Sequence, residues 1–250
     1  MRPLLEVIGI SKQFGGLAAL KKVSFQVAER SIFGLIGPNG AGKTTLFNVV
    51  AGAMRPTGGE VRFNGKNLTG KPSFRMVKEG VSRTHQIVAP FRSMTVLENV
   101  LVGLHFGRAP VRGMADAIRR ALEILGWVGM AHLAKTSAEV LSLGYQKRLE
   151  VARALANEPA LLLCDEICGG LTHTETASIL GLLREIRKKG TTVIYVEHDV
   201  KAITSVCDRI LVLNSGEKLT EGTPEEIQKN PAVIEAYLGH PRTPPEARDE

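Results

Sequence analysis

Cysteine is scarce in this chain: three residues in 250, Cys164, Cys168 and Cys207. They cannot all pair, and a chain of this length needs no covalent staples, so reduced thiols in an intracellular protein are expected. Long apolar runs are also missing. No stretch approaches the ~18–20 uninterrupted apolar residues of a membrane helix. Glu6 breaks the only apolar run near the start, so Met1 to Ile10 does not read as a signal peptide. Aromatic residues make up 5%, so no stacking platform for single-stranded nucleic acid is visible. The net charge is +7, yet the basic residues are spread along the chain, with only short clusters such as Arg119-Arg120 and Lys188-Lys189. A solvated basic surface without a nucleic-acid partner is the expectation. Internal repeats and heptad runs are absent.

What remains is ordinary globular composition, 44% apolar and 23% charged, enough for one large α/β domain with a smaller lobe. Leu4 to Val27 reads as strands joined by tight turns around Gly15-Gly16, and Ile32 to Ile36 as a short buried strand. A glycine-rich stretch follows, then a helix over Thr44 to Ala53. Pro and Gly flanking Val61-Arg62-Phe63 suggest a hairpin between Arg55 and Gly70. From about Ile87 the character changes: Ala115 to Leu125, Ala131 to Val140 and Gln146 to Ala156 carry helical periodicity. Leu161 to Cys164 and Val193 to Val196 are buried strands separated by a helix over Glu175 to Lys188, the alternation of a parallel sheet. His240 to Glu250, with three prolines, reads as a frayed tail. The plan is an α/β core with a helical insertion.

Gly37-Pro38-Asn39-Gly40-Ala41-Gly42-Lys43-Thr44 matches the pattern G-x-x-x-x-G-K followed by Ser or Thr. Glycines let backbone N–H groups face phosphate oxygens, and the helix that follows points its positive end at the same anion. Lys43 would reach the β- and γ-phosphates of a nucleotide, and the Thr44 hydroxyl would join the Mg²⁺ shell. Leu161-Leu162-Leu163-Cys164-Asp165-Glu166 is an apolar strand ending in two carboxylates, which emerge beside a phosphate crevice if the strand is parallel. Asp165 would hold Mg²⁺, and Glu166 would orient or deprotonate the attacking water. Cys164, Cys168 and His173 make an incomplete zinc set, and Cys164 belongs to a buried strand, so no metal is expected there.

Leu141-Ser142-Leu143-Gly144-Tyr145-Gln146 lies between these motifs and resembles the LSGGQ signature of ABC-type ATPases. The order of loop, signature, Asp-Glu and then His198 fits that family as well. The resemblance implies an ABC-type P-loop ATPase core, residues 1–86 and 158–239, with an antiparallel β subdomain, and a helical signature subdomain over residues 87–157. It implies ATP and Mg²⁺ as ligands, with Thr45 beside Thr44 in the ATP site and Phe14 stacked on adenine. Gln86 takes the place of the Q-loop glutamine, sensing Mg²⁺ and water, and His198 that of the switch histidine on the γ-phosphate. Such domains dimerise head to tail, so Ser142, Leu143, Gly144, Tyr145 and Gln146 would face ATP bound to a second subunit, either a paralogue or another copy.

Phe14-Gly15-Gly16-Leu17, Gly34 to Leu46, Met94 to Val100 and Val233 to Gly239 look like the branched-chain amino acid importer ATPases, a likeness spanning residues 4 to 239. It implies a peripheral subunit on the cytoplasmic face of the cell membrane, coupled to separate permease subunits and, through them, to a periplasmic or surface binding protein. Relatives serving urea, amides, aromatic acids or lipopolysaccharide export end similarly, and a soluble non-transport ABC ATPase is the remaining alternative. Departures from the family pattern are Leu143 for a signature glycine, Arg30 at a turn where glycine is common, Ile167-Cys168 after the Asp-Glu pair, and Leu171-Thr172-His173-Thr174 in the loop that links the two ATP sites.

Overall fold

The computed structural model of the chain describes residues 3–84 and 90–238. Gly15-Gly16 turns β1 (Leu5–Phe14) back on β2 (Leu17–Val27), pairing Phe14 with Leu17. The expected hairpin is present as β4 (Gly58–Phe63) and β5 (Lys66–Asn67). Its turn is Asn64-Gly65, both at positive φ, the pair best suited to a two-residue turn. These strands form an antiparallel sheet in the order β2-β1-β4-β5.

The second sheet has six strands in the order β10-β9-β3-β8-β7-β6. They are β3 (Ile32–Ile36), β6 (Val81–Arg83), β7 (Leu161–Asp165), β8 (Thr192–Val196), β9 (Arg209–Asn214) and β10 (Glu217–Gly222). All pairings are parallel except that of β10 with β9. β3, β7 and β8 are buried from end to end, which is why they read as unbroken apolar runs. Alternate residues serve two cores. Ile32, Ile36, Leu162, Cys164, Val193 and Tyr195 join the helices on one face, while Phe33, Leu35, Leu161, Leu163, Ile194 and Val196 meet the antiparallel sheet on the other. β3 pairs with β9 on one side and β8 on the other, so the crevice beyond its carboxyl end opens at the centre of the sheet.

The helix after β3 is α1 (Lys43–Val50), beginning one residue before the expected start and capped at Ala51. α2 (Ser73–Glu79) precedes β6. Between β6 and β7 the described residues hold three helices, α3 (Val96–Phe106), α4 (Met114–Trp127) and α5 (Leu143–Leu155). The helix expected over Ala131 to Val140 is instead two 3₁₀ turns, Ala131–Leu133 and Ala138–Val140. The reason is a competing use of its carbonyls: Ala134 O and Thr136 O accept from the Leu97 and Val96 N–H groups at the start of α3, and Thr95 bridges to Ser137. A continuous helix would have consumed those acceptors. α6 (His173–Lys188) joins β7 to β8, and α7 (Val200–Val206), α8 (Pro224–Lys229) and α9 (Pro231–Leu238) complete the chain. Among the described residues no helix is long and apolar enough to cross a membrane. The segment His240 to Glu250 lies outside the described residues.

α3 and α6 both open with a capping box, Thr95 with Glu98 and Thr172 with Glu175. In each, the threonine hydroxyl accepts from the glutamate N–H and the carboxylate accepts from the threonine N–H and hydroxyl, which holds the carboxyl below its usual range. A carboxyl depressed by folding adds stability above its unfolded pKa of about 4.3, and that contribution is lost as pH falls through the lower folded value. Acid unfolding followed by circular dichroism should therefore respond less steeply to falling pH in Glu98→Gln/Glu175→Gln than in the parent chain.

Candidate functional site

The glycine loop leaves the carboxyl end of β3 with Gly37, Gly40 and Gly42 all at positive φ. At two of them a side chain has no room: a Cβ on Gly37 would lie 2.3 Å from Leu213 O, and one on Gly42 2.7 Å from Ala19 O. The loop is thus pressed against β9 and β2 with its backbone bare. Gly42 caps α1, whose first turn holds no acidic residue to offset the helix dipole. Lys43 folds back over the loop, its Nζ donating to Gly37 O at 2.6 Å and Pro38 O at 3.1 Å. Burial lowers the Lys43 pKa, against the opposing pull of Glu166 and Asp165. Thr44 is exposed and Thr45 half-buried in the first turn.

β7 delivers Asp165 and Glu166. Asp165 is 2% exposed, and its N–H donates to Thr84 Oγ1 at 3.3 Å. Burial and the neighbouring Glu166 push its pKa up, while Arg83, Lys147 and Lys43 pull it down. Glu166 stands at φ 45°, a left-handed conformation that costs a non-glycine residue about 1–3 kcal/mol. Its backbone is held from three directions: the Glu166 N–H donates to Val196 O, and Glu166 O accepts from Gly169 N–H and from Lys147 Nζ at 3.0 Å. Lys147 sits one turn into α5, so the signature helix is tied to the loop after β7 within the same chain. Arg30, also at positive φ as the turn reading expects, donates its N–H to Thr192 Oγ1.

The departures after the Asp-Glu pair are accommodated locally. Ile167 fills the helical core, and the Cys168 thiol accepts from the Tyr195 hydroxyl at 3.2 Å. Burial pushes that thiol up to about 11. Thr172, in the loop ahead of α6, serves as the helix cap already described.

Ser142 stands at the N-cap of α5 with no capping bond from its side chain, so the hydroxyl does not play the simple capping role. The helix begins at Leu143, inside the signature, and Gln146 Nε2 donates to Leu141 O. A cavity of about 510 Å³ opens here, lined by Ser142, Gly144, Tyr145, Arg148 and residues of α6. No residue of the glycine loop lines it. Phe14, at the end of β1, is 46% exposed, with Lys12 Nζ 5.1 Å from its ring centre. His198 follows β8 with its side chain 64% exposed. Gln86 lies outside the described residues.

The structure therefore brings Lys43, Asp165 and Glu166 together, while the signature cavity takes no lining residue from the glycine loop. It also adds groups that sequence reasoning passed over. Arg83 and Lys147 need the tertiary fold to be seen at all. Glu197 carries a signal like that of Glu166: an ionisable residue directly after a five-residue buried strand. A groove of about 380 Å³ between α2, α3 and α5 is lined by Ser73, Ser82, Arg83, Val102, Phe106 and Arg153. Two buried polar atoms of its lining residues, Ser82 Oγ and Arg83 Nε, have no hydrogen-bond partner among the described residues.

A bare glycine loop and its lysine at the switch of a parallel sheet, beside a buried Asp165 and a half-buried Glu166, define a nucleoside triphosphatase. Residues 20–169 match the family described as ABC transporter, and residues 217–242 match the family described as branched-chain amino acid ATP-binding cassette transporter. The high-affinity branched-chain amino acid transport ATP-binding protein BraF of Pseudomonas aeruginosa is 41% identical, covering 95% of this chain and 98% of that protein. LivG of Escherichia coli, described in the same words, is 42% identical over the same shares. Among solved structures, the ADP conformation of MJ1267, an ATP-binding cassette of an ABC transporter, superposes with a TM-score of 0.87 at 30% identity, covering 96% of this chain and 100% of that one. A post-hydrolysis dimer of the cassette MJ0796 bound to ADP and phosphate gives 0.79 at 28% identity, covering 88% and 98%. The chain belongs to the ABC transporter family, as an ATP-binding cassette that hydrolyses ATP.

Proposed function

We propose that this cassette drives an importer for branched-chain or related amino acids, as a peripheral subunit on the cytoplasmic face of the membrane, and that its catalytic site lies between two cassettes. The observation carrying the two-chain site is the separation of the signature cavity from the glycine loop: each half of a phosphate site is built, on different parts of one monomer. A second copy or a paralogue, docked head to tail, would bring Ser142 to Gln146 over the nucleotide held by Gly37 to Thr45, with Phe14 on the adenine. The division of labour is a core of residues 1–86 and 158–239 that holds ATP and a helical part of residues 87–157 that presents the signature.

The residues fit a bound Mg²⁺. One buried carboxylate, Asp165, and one exposed hydroxyl, Thr44, are the sparse oxygen set such an ion takes when phosphates and waters fill the rest, with Gln86 as the family-implied third group. Bound there, Mg²⁺ neutralises phosphate charge. Lys43 exchanges its loop carbonyls for the β- and γ-phosphates. Glu166 takes a proton from water as the water oxygen bonds to the γ-phosphorus, and the bond from that phosphorus to the β–γ bridging oxygen breaks, releasing ADP and phosphate. His198 holds the γ-phosphate during the step. Closure of the dimer on ATP and its reopening after hydrolysis would do mechanical work through the difference in ATP affinity between the two states.

The groove beside Arg83 suits a short helix of a permease. Phe106, 77% exposed on its rim, would cover apolar surface of the same partner. Reconstitution with the permease and binding protein tests the whole reading. Leucine, isoleucine or valine should stimulate ATP turnover several-fold, and Phe106→Asp should abolish that stimulation, with turnover by the free chain as the folding control. Stimulation by urea, amides or aromatic acids alone would overturn the substrate assignment.

A further inference from the structure

β8 ends at Val196 and delivers two ionisable residues in succession, Glu197 and His198. They are treated oppositely: the Glu197 side chain is 2% exposed and that of His198 64%. A buried carboxylate is costly unless its oxygens are partnered, and both oxygens of Glu197 are. Oε1 accepts the Cys168 N–H at 3.0 Å, two residues after Glu166. Oε2 accepts the His198 N–H at 3.4 Å and lies 3.5 Å from His198 Nδ1. The Cys168 bond prevents the carboxylate from rotating away, so Oε2 remains beside the imidazole. Burial pushes the Glu197 carboxyl up, whereas these contacts favour its charged form.

An exposed histidine right after a strand has little to fix its ring. A carboxylate at Nδ1 supplies both an orientation and an acceptor for the Nδ1 proton, leaving Nε2 directed away from the carboxylate, where it donates to a γ-phosphate oxygen once the ring carries its second proton. We propose that Glu197 is a positioning residue for ATP hydrolysis, acting through His198 by holding its Nδ1 side against the loop that carries Glu166. This rests on the reading of His198 as the group that holds the γ-phosphate.

A double-mutant cycle tests it, with Glu197→Ala and the charge-preserving but shorter Glu197→Asp each made in the parent and in His198→Ala. In the parent, either variant should lower kcat about tenfold while KM for ATP stays within about twofold, because the glycine loop is untouched. In His198→Ala, the same changes should lower kcat less than about twofold. Nitrogen-15 NMR of the ring at pH 8 should find Nδ1 of His198 protonated in the parent and the Nε2 tautomer in Glu197→Ala. Equal losses in both backgrounds, an unchanged kcat, or an unchanged tautomer overturns the proposal. If His198→Ala itself leaves kcat intact, the assignment of His198 fails first and the role of Glu197 falls with it. Should Glu197→Ala fail to fold, Glu197→Asp carries the same comparison.

Discussion

Glu166→Gln is expected to lower ATP turnover by about 10²–10⁴-fold, the range of a lost general base, while leaving ATP binding intact. The side chain emerges from a backbone at φ 45° that is held by Val196 O, Gly169 N–H and Lys147 Nζ. Glutamine keeps the size and the backbone ties, so the loss would reflect proton acceptance and not a collapsed loop. Removing one negative charge also relieves Asp165, whose pKa Glu166 helps to raise, so Mg-ATP should bind at least as tightly. If two cassettes share each nucleotide, the variant should accumulate as an ATP-bound dimer on size-exclusion chromatography. A variant that keeps turnover within tenfold would remove Glu166 from the role of base, and a monomer at saturating ATP would argue against a self-sufficient pair.

Lys43→Ala is expected to weaken Mg-ATP binding by about 10–100-fold, from charge-assisted hydrogen bonds of about 1.5–3 kcal/mol. The ammonium already sits over the loop, donating to Gly37 O and Pro38 O, and a rotation toward the phosphates trades those carbonyls for charged acceptors. Its depressed pKa marks a charge that is costly to bury, so the substitution should leave the fold intact. Titration calorimetry with the hydrolysis-deficient Glu166→Gln background separates binding from turnover. Unchanged affinity would mean that the loop backbone and the α1 dipole hold the phosphates without the lysine.

The hairpin around Val61-Arg62-Phe63, the turn at Gly15-Gly16 and the buried runs of β3, β7 and β8 were legible because each is fixed by neighbours within a few residues. The capping box at Thr95 and Glu98 was equally local, and it marks α3, a helix the periodicity argument passed over. Ala131 to Val140 shows the opposite case. Its helical periodicity was sound, but the start of α3 needed the carbonyls of Ala134 and Thr136. A three-residue edge strand such as β6 has no pattern of its own, since pairing with β7 is all that makes it a strand.

By itself the sequence determined the local motifs: a glycine loop with Lys43 and Thr44 and a strand ending in Asp165-Glu166, to which the resemblance to ABC-type ATPases added Ser142 to Gln146 and His198. Those are runs of adjacent residues, and their backbone geometry follows from glycine, strand and helix rules acting over one or two turns. Only the tertiary structure decided that β3 lies between β8 and β9, that Lys147 of the signature helix grips the Glu166 loop, and that Glu197 stands against Cys168 and His198. These contacts join residues 19 and 29 positions apart, and such pairings are settled by which faces pack together and not by any local propensity.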